Sequence, residues 1–348
     1  MTLSISAARE LWEPAGTYLN TASFGLPPLP AWDALQEALG DWRTGRTSWE
    51  TWGDATEAAR GSFARLVGVE PSTVAVGATV SGLVGLVASS LPDRSRVLAP
   101  EIEFTSTLFP FLVQAHRGVT VRTVPAAELA DAIGETTDVV AFSAVQMATG
   151  EVADLAAIAA SAREHGALTL VDATQACGWL PLGGYAFDIV VAAGYKWLLS
   201  PRGTAYMAVA PERLADIVPT AAGWYAGEEV HTTYFGAPLR LATDARRLDT
   251  SPAWHSWVGA APALALIEEI GIPAIHAHDL ELANRFRAGL GIQAADSAIV
   301  LVDVPGAAER LERAGIQAAV RNGRVRTSWH LYNTEEDVDL TLSTLQTG

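Results

Sequence analysis

Two residues carry most of the chemical information in this chain. Asp172 closes the apolar run Ala167–Ala173 and is followed by Ala-Thr-Gln175. Lys196 comes twenty-four residues later, after a second apolar run, in Ala-Ala-Gly-Tyr-Lys-Trp. Open α/β sheets bind ligands beyond the carboxyl ends of their strands, so an acid and a lysine at two such ends would face one crevice. There the acid could pair with a pyridinium nitrogen and the amine could form an imine. The same spacing allows a plainer account, in which Asp172 is a turn former or helix cap and Lys196 a solvated surface residue. A third element adds weight. Val76-Gly-Ala-Thr-Val-Ser-Gly-Leu opens a helix directly after a strand, so its N–H groups and the hydroxyl of Thr79 or Ser81 could hold a phosphate. It matches neither a Walker loop nor a GxGxxG fingerprint, and Thr and Ser are also ordinary N-caps.

The elements that must position these residues alternate. Short β-rich runs cover Thr73–Ala78, Arg96–Pro100, Thr120–Val124, Asp138–Val145, Ala167–Ala173, Phe187–Gly194 and Thr204–Ala210. Several are apolar without alternation, as strands covered on both faces are. Helical stretches lie between them, Ala153–Gly166 among them, with Gly166 as its C-terminal cap. Repeated strand–helix–strand units predict an α/β fold with a mostly parallel sheet. After about Ser251 the texture changes to a long helix (His255–Ile270, stopped by Gly271 and Pro273), a second helix and three strand candidates. A last helix opens at Asn333-Thr334, where Thr334-x-x-Asp337 has capping-box spacing. The expected division is a large domain over 16–255 and a small α/β domain made of 1–15 and 256–348.

Composition limits the function classes. The 348 residues suffice for one large domain with a smaller companion. A formal charge of −16 argues against nucleic acid as a partner. Arg321, Arg324 and Arg326 form the densest basic group. The single cysteine, Cys177, rules out an internal disulfide and suits a reducing compartment. The N-terminus lacks a signal-peptide pattern and no apolar run reaches the ~18–20 residues of a membrane span, so the expected location is the cytoplasm, with no membrane partner. His276-Ala-His278-Asp279 looks like a metal cluster, but positions i and i+2 diverge on a helix and further ligands are missing, so no metal is expected.

In order along the chain, these motifs resemble the class V aminotransferase family of fold-type I enzymes that use pyridoxal 5′-phosphate (PLP), which includes cysteine desulfurases, kynureninases and isopenicillin N epimerases. The likeness runs from Tyr18-Leu-Asn20-Thr-Ala-Ser to Arg326-Thr-Ser-Trp-His-Leu-Tyr-Asn-Thr-Glu-Glu-Asp337. Its most specific part is His165-Gly through Val171-Asp172-Ala-Thr-Gln175-Ala and Gly194-Tyr-Lys196-Trp-Leu-Leu-Ser-Pro-Arg-Gly. The resemblance implies a large domain with a seven-stranded mixed sheet, a small C-terminal domain, and active sites shared across a homodimer. It makes Lys196 the Schiff-base lysine and the acid or base at the substrate Cα. Asp172 would pair with the pyridine nitrogen, Gln175 with the phenolic oxygen (a Gln just after a strand could equally cap the following helix), and Ala78 and Thr79 with the phosphate. Phe104 would stack on the ring and Tyr195 would reach the phosphate; each could equally be a packing residue. Arg326 would grip the α-carboxylate of an amino-acid substrate, although it could equally be a surface arginine on an alternating strand with Arg324 on the same face. Asn20 and Ala22 would line the substrate side, and Ser251 would cross to the neighbouring subunit's phosphate.

The departures narrow the chemistry. Desulfurases carry a nucleophilic cysteine on a loop shortly before the carboxylate-binding arginine, whereas Ile316–Arg326 has no cysteine and little room for a loop. Tyr195 stands where desulfurases have His, and Ala193 replaces a phosphate-binding serine. Trp224 and Trp254 are candidates for an aromatic wall. The expected reaction runs through an external aldimine and a quinonoid at Cα, with aminotransferase-type chemistry first. A β-eliminating C–S lyase, an amino-acid epimerase and a non-catalytic PLP-fold binding protein are the alternatives; an NAD-dependent oxidoreductase is a poor fit without GxGxxG.

Overall fold

Strands that are apolar on both sides can only be stable between two layers, and that is where this sequence puts them. In the computed structural model, which describes residues 3–184, 186–321 and 323–346, seven strands form one sheet. The N-terminal part runs α1 (Ile5–Arg9), α2 (Leu29–Thr44), α3 (Trp49–Val67), β1 (Val74–Gly77), α4 (Val80–Ser90), β2 (Arg96–Pro100), α5 (Thr105–Leu112) and β3 (Thr120–Val124). Then come α6 (Leu129–Ala132), β4 (Val139–Ser143), α7 (Leu155–His165), β5 (Leu168–Asp172), β6 (Ile189–Ala193) and β7 (Ala205–Val209). The strand order is β1-β7-β6-β5-β4-β2-β3, and β7 alone runs antiparallel to its neighbours. Successive residues feed different cores: Leu170 packs with Val97, Ile189 and Met207, while Val171 packs with Val76, Phe142 and Tyr206. That explains the absence of polar–apolar alternation.

The C-terminal part follows as α8 (Trp254–Ile270), α9 (Ile272–Gly289), β8 (Ile299–Val302), α10 (Ala307–Arg313), β9 (Ala319–Arg321), β10 (Arg324–Ser328) and α11 (Glu335–Gln346). Its strands make a separate antiparallel sheet, β8-β10-β9. The α/β architecture with a small C-terminal sheet is thus as expected, and the differences are at the ends. The run Asp138–Val145 keeps only five residues as β4, because Val145 leaves the sheet to bridge Val152 as the chain turns back. Gly166 caps α7 at φ 67°, and Thr334 and Asp337 cap α11 reciprocally at 3.2 and 3.0 Å.

Two ties set the site's frame. Beneath the end of β1, buried Asp249 accepts from Val76 N at 2.7 Å and pairs with Arg60 at 2.6 Å, while Arg60 also donates to Val74 O. Removing one member of such a pair costs about 3–5 kcal/mol, because the other charge stays buried. The second tie is the N-terminal segment, which crosses to the small sheet through bridges Tyr18–Gln317 and Asn20–Ser328. Among the described residues no single helix is long and apolar enough to cross a membrane.

Candidate active site

The carboxyl ends of the parallel strands open on one cavity. Its wall includes Ala78 and Thr79 after β1, Phe104 and Ser106 after β2, Ser143 and Met147 after β4, Asp172, Thr174 and Gln175 from β5 onward, and Ala193, Tyr195, Lys196 and Arg202 after β6. Seven of the residues given roles by the family resemblance therefore meet here, and so does Ser81, the alternative phosphate hydroxyl. Four do not line the wall. Ala22 joins it through Gln175, whose Nε2 donates to Ala22 O at 2.9 Å. Arg326 joins it through Met147, whose carbonyl accepts from Nη1 at 2.7 Å. Asn20 bridges Ser328, two residues beyond Arg326, and its buried Oδ1 has no partner. Ser251 is exposed on the loop before α8, outside the cavity. Trp224 and Trp254 also lie outside, packed against Trp49 rather than along the wall.

Each reactive group is held by its neighbours. Asp172 is buried; its Oδ1 accepts from Thr174 N and its Oδ2 from Thr107 Oγ1, each at 2.9 Å. Lys196 is 5% exposed, with Nζ 5.7 Å from the Phe104 ring centre and 5.8 Å from that of Tyr195. Burial lowers its amine to about 8, opposed by the Asp172 charge and assisted by Arg326, Arg321 and Arg202. The turn behind it is tight: a Cβ on Gly25 would meet Lys196 O at 2.0 Å, so only glycine lets the N-terminal segment approach. His330 holds the next carbonyl. Its Nε2 faces Trp197 O at 3.2 Å and must donate, while Nδ1 shares a second proton with buried Asp279 at 2.8 Å. His276 instead lies flat against Trp179, and among the described residues no three His, Cys, Asp or Glu side chains are grouped to hold a metal.

Some participants were not anticipated. Glu103 is buried behind Phe104, its carboxylate accepting from the backbone N–H of Phe104 and Ser143 at 2.7 Å each. Burial raises its pKa, and the Asp172 charge adds to the rise. It locks the aromatic residue and the β4 end in register. Its only sequence signal is an acid at the end of an apolar strand. Thr107 and Ser23 gave no local signal of a role here, and Arg321 was visible only as one of a basic group.

The residues fit PLP: an amine with a lowered pKa, a buried acid, an aromatic face and a helix N-terminus share one cavity. Thr79 Oγ1 caps α4 by accepting from Gly82 N at 3.2 Å, which leaves its own proton and the N–H groups of Val80 and Ser81 for an anion.

The family model for aminotransferase class V matches residues 43–296. The chain belongs to the class V aminotransferase family. An uncharacterized aminotransferase of Bacillus subtilis is 29% identical over 95% of this chain and 94% of its own. Isopenicillin N epimerase of Streptomyces clavuligerus is 30% identical over 81% of each chain. Among solved structures, a cystine C–S lyase bound to cysteine persulfide superposes with a TM-score of 0.86, at 23% identity over 95% of this chain and 97% of that one. A mutant of it with glycine covalently linked to the PLP cofactor gives 0.87 at 23% identity over the full length of both. The fold is fold-type I, the class V enzyme takes PLP as its cofactor, and its chemistry lies at Cα. Because protonated Lys196 is not nucleophilic, the rate at which apoenzyme couples PLP should rise as pH passes through about 8, then level off. Stopped-flow absorbance between pH 6 and 10 checks this; a rate still climbing toward the ordinary lysine pKa would mean that burial does not act on Lys196.

Proposed function

We propose that this class V enzyme carries out aminotransferase-type chemistry on an amino acid. The observation that carries the amino-acid substrate is Arg326. It is 1% exposed and donates to Met147 O and Ser23 Oγ (2.8 Å), and no carboxylate pairs with it among the described residues. Burying a guanidinium without a counter-charge is costly, and a substrate α-carboxylate repays that cost with a bidentate pair. PLP supplies the electron sink for negative charge at Cα. Around it, Lys196 Nζ carries the cofactor and then moves the proton at Cα, Asp172 holds the ring nitrogen protonated, and Phe104 stacks on the ring. Ala78, Thr79 and Tyr195 take the phosphate; Gln175, with one amide N–H still free, takes the phenolic oxygen. Asn20 and Ala22 border the substrate.

Persulfide chemistry is disfavoured, since Cys177 is buried and its thiol is pushed far up by burial. Product analysis with a panel of amino acids and a 2-oxo acid acceptor tests the proposal. Acceptor-dependent formation of a new oxo acid supports it. Pyruvate and ammonia without acceptor would make the protein a β-eliminating lyase. Solvent deuterium at Cα with no oxo acid would make it an epimerase, and inertness with bound PLP a binding protein.

The homodimer, the cytoplasmic location and the domain division belong to the same proposal. Phe235 (87% exposed), Leu239 (80%) and Trp42 are large exposed apolar side chains suited to burial against a second copy, whose phosphate Ser251 would meet. Residues 16–255 act as the large unit and 1–15 with 256–348 as the small one, with α8 as the spine that packs on α2 and α3.

A further inference from the structure

A second arginine stands beside Arg326 with no part in the carboxylate pairing. Beside the cavity, Arg321 Nη2 donates to Ser23 Oγ at 3.1 Å, the same oxygen that accepts Arg326 Nη2 at 2.8 Å. The two Nη2 atoms can therefore be no farther apart than those two distances together. Arg321 Nη1 goes to its neighbour's carbonyl, Val320 O, and among the described residues no carboxylate pairs with Arg321 either. Two guanidiniums sharing one neutral hydroxyl repel each other, in a chain whose net charge is −16. Arg202 adds a third, lying over the Tyr195 ring at 4.8 Å in the cavity wall. Such a basic enclave focuses anions on the site.

The two arginines differ in depth, and that difference assigns their partners. Arg326 is fully buried, whereas Arg321 is half-buried at the end of β9. An α-carboxylate has to sit deep, because Cα must come within reach of Lys196. What projects outward from Cα is the side chain, and the outer arginine is the group it meets. We infer that Arg321 is a specificity-determining residue for a second anionic group, so that the substrate is an acidic α-amino acid with a short side chain. The short reach follows from the shared Ser23 oxygen: both anions must fit between guanidiniums that are close neighbours. Displacing Ser23 from between them exchanges two hydrogen bonds to one neutral hydroxyl for ion pairs with two carboxylates.

The inference rests on the reading that Arg326 takes the α-carboxylate, and binding without turnover separates the two. Succinate and propionate are titrated into the PLP-loaded enzyme by calorimetry, for wild type, Arg321→Gln and Arg326→Gln, and kcat/KM is measured for aspartate against asparagine. Wild type should prefer succinate over propionate, and aspartate over asparagine, by about 10- to 100-fold, the range of one charge-assisted hydrogen-bond pair. Arg321→Gln should erase that preference with the unfolding midpoint unchanged. Arg326→Gln should weaken both ligands. If wild type shows no preference, or Arg321→Gln weakens propionate as much as succinate, the inference is wrong and both arginines serve one carboxylate. If Arg326→Gln leaves propionate binding intact, it is instead the carboxylate reading that fails.

Discussion

Lys196→Ala should lower turnover by about 10³-fold or more while leaving a folded protein that still takes up PLP. The fold should survive because Lys196 Nζ accepts no structural duty: among the described residues none of the side-chain hydrogen bonds or ion pairs ends on it. It lies against Phe104 and Tyr195 in a cavity wall, and shortening it leaves space that water or cofactor can fill. Catalysis should collapse because the proposed function gives one amine two jobs, holding the cofactor and moving the Cα proton. Activity and cofactor retention on gel filtration should therefore part company: PLP stays weakly and reversibly, through the helix N-terminus and Asp172. Turnover within tenfold of wild type would remove Lys196 from the chemistry.

Asp172→Asn should cost about 10²- to 10³-fold in kcat with little change in stability. The replacement is nearly isosteric, and both existing partners can be kept. Thr174 N still finds an oxygen, and the new amide can donate to the hydroxyl of Thr107, which is free to rotate. What disappears is the negative charge. Without it the proposed partner of the ring nitrogen is gone, and Lys196 loses the attraction that keeps its amine as high as about 8. The coupling profile against pH should accordingly shift to lower pH in the variant. An unchanged profile together with unchanged kcat would mean that the acid faces neither group.

The parts of this molecule that sequence makes legible are those whose signals are local. A strand apolar on both faces, a glycine at a helix end, and a Thr-x-x-Asp cap all act within a few residues, and the sheet, α7 and α11 follow from them. Asp172 and Lys196 were readable because a charged residue ending an apolar strand stands out. Arg326 needed the family motif, since an arginine on a short strand looks like any surface residue. Glu103 and Ser23 escaped because their meaning is supplied by partners far away: Glu103 by Ser143, Ser23 by Arg321 and Arg326. Arg321 was visible as part of a basic group, but only the fold shows which hydroxyl it shares. The paired histidines are only neighbours along the chain, as the divergence of positions i and i+2 on a helix implies. His276 goes to Trp179, and Asp279 turns to His330, fifty-one positions on.

The tie between the N-terminal segment and β10 also orders events during synthesis. Ser23 and Arg326 are separated by 303 positions, so the first half of the substrate site leaves the ribosome long before the second. At about 5–20 residues per second the wait is roughly 15–60 s. Only in its last part, roughly 6–23 s between the end of β7 and Arg326, are β1 to β7, with Asp172 and Lys196, already made and able to assemble around PLP. A nascent chain can thus acquire its cofactor before it can recognise a substrate, so a chain cut short ahead of β10 would be coloured but unselective.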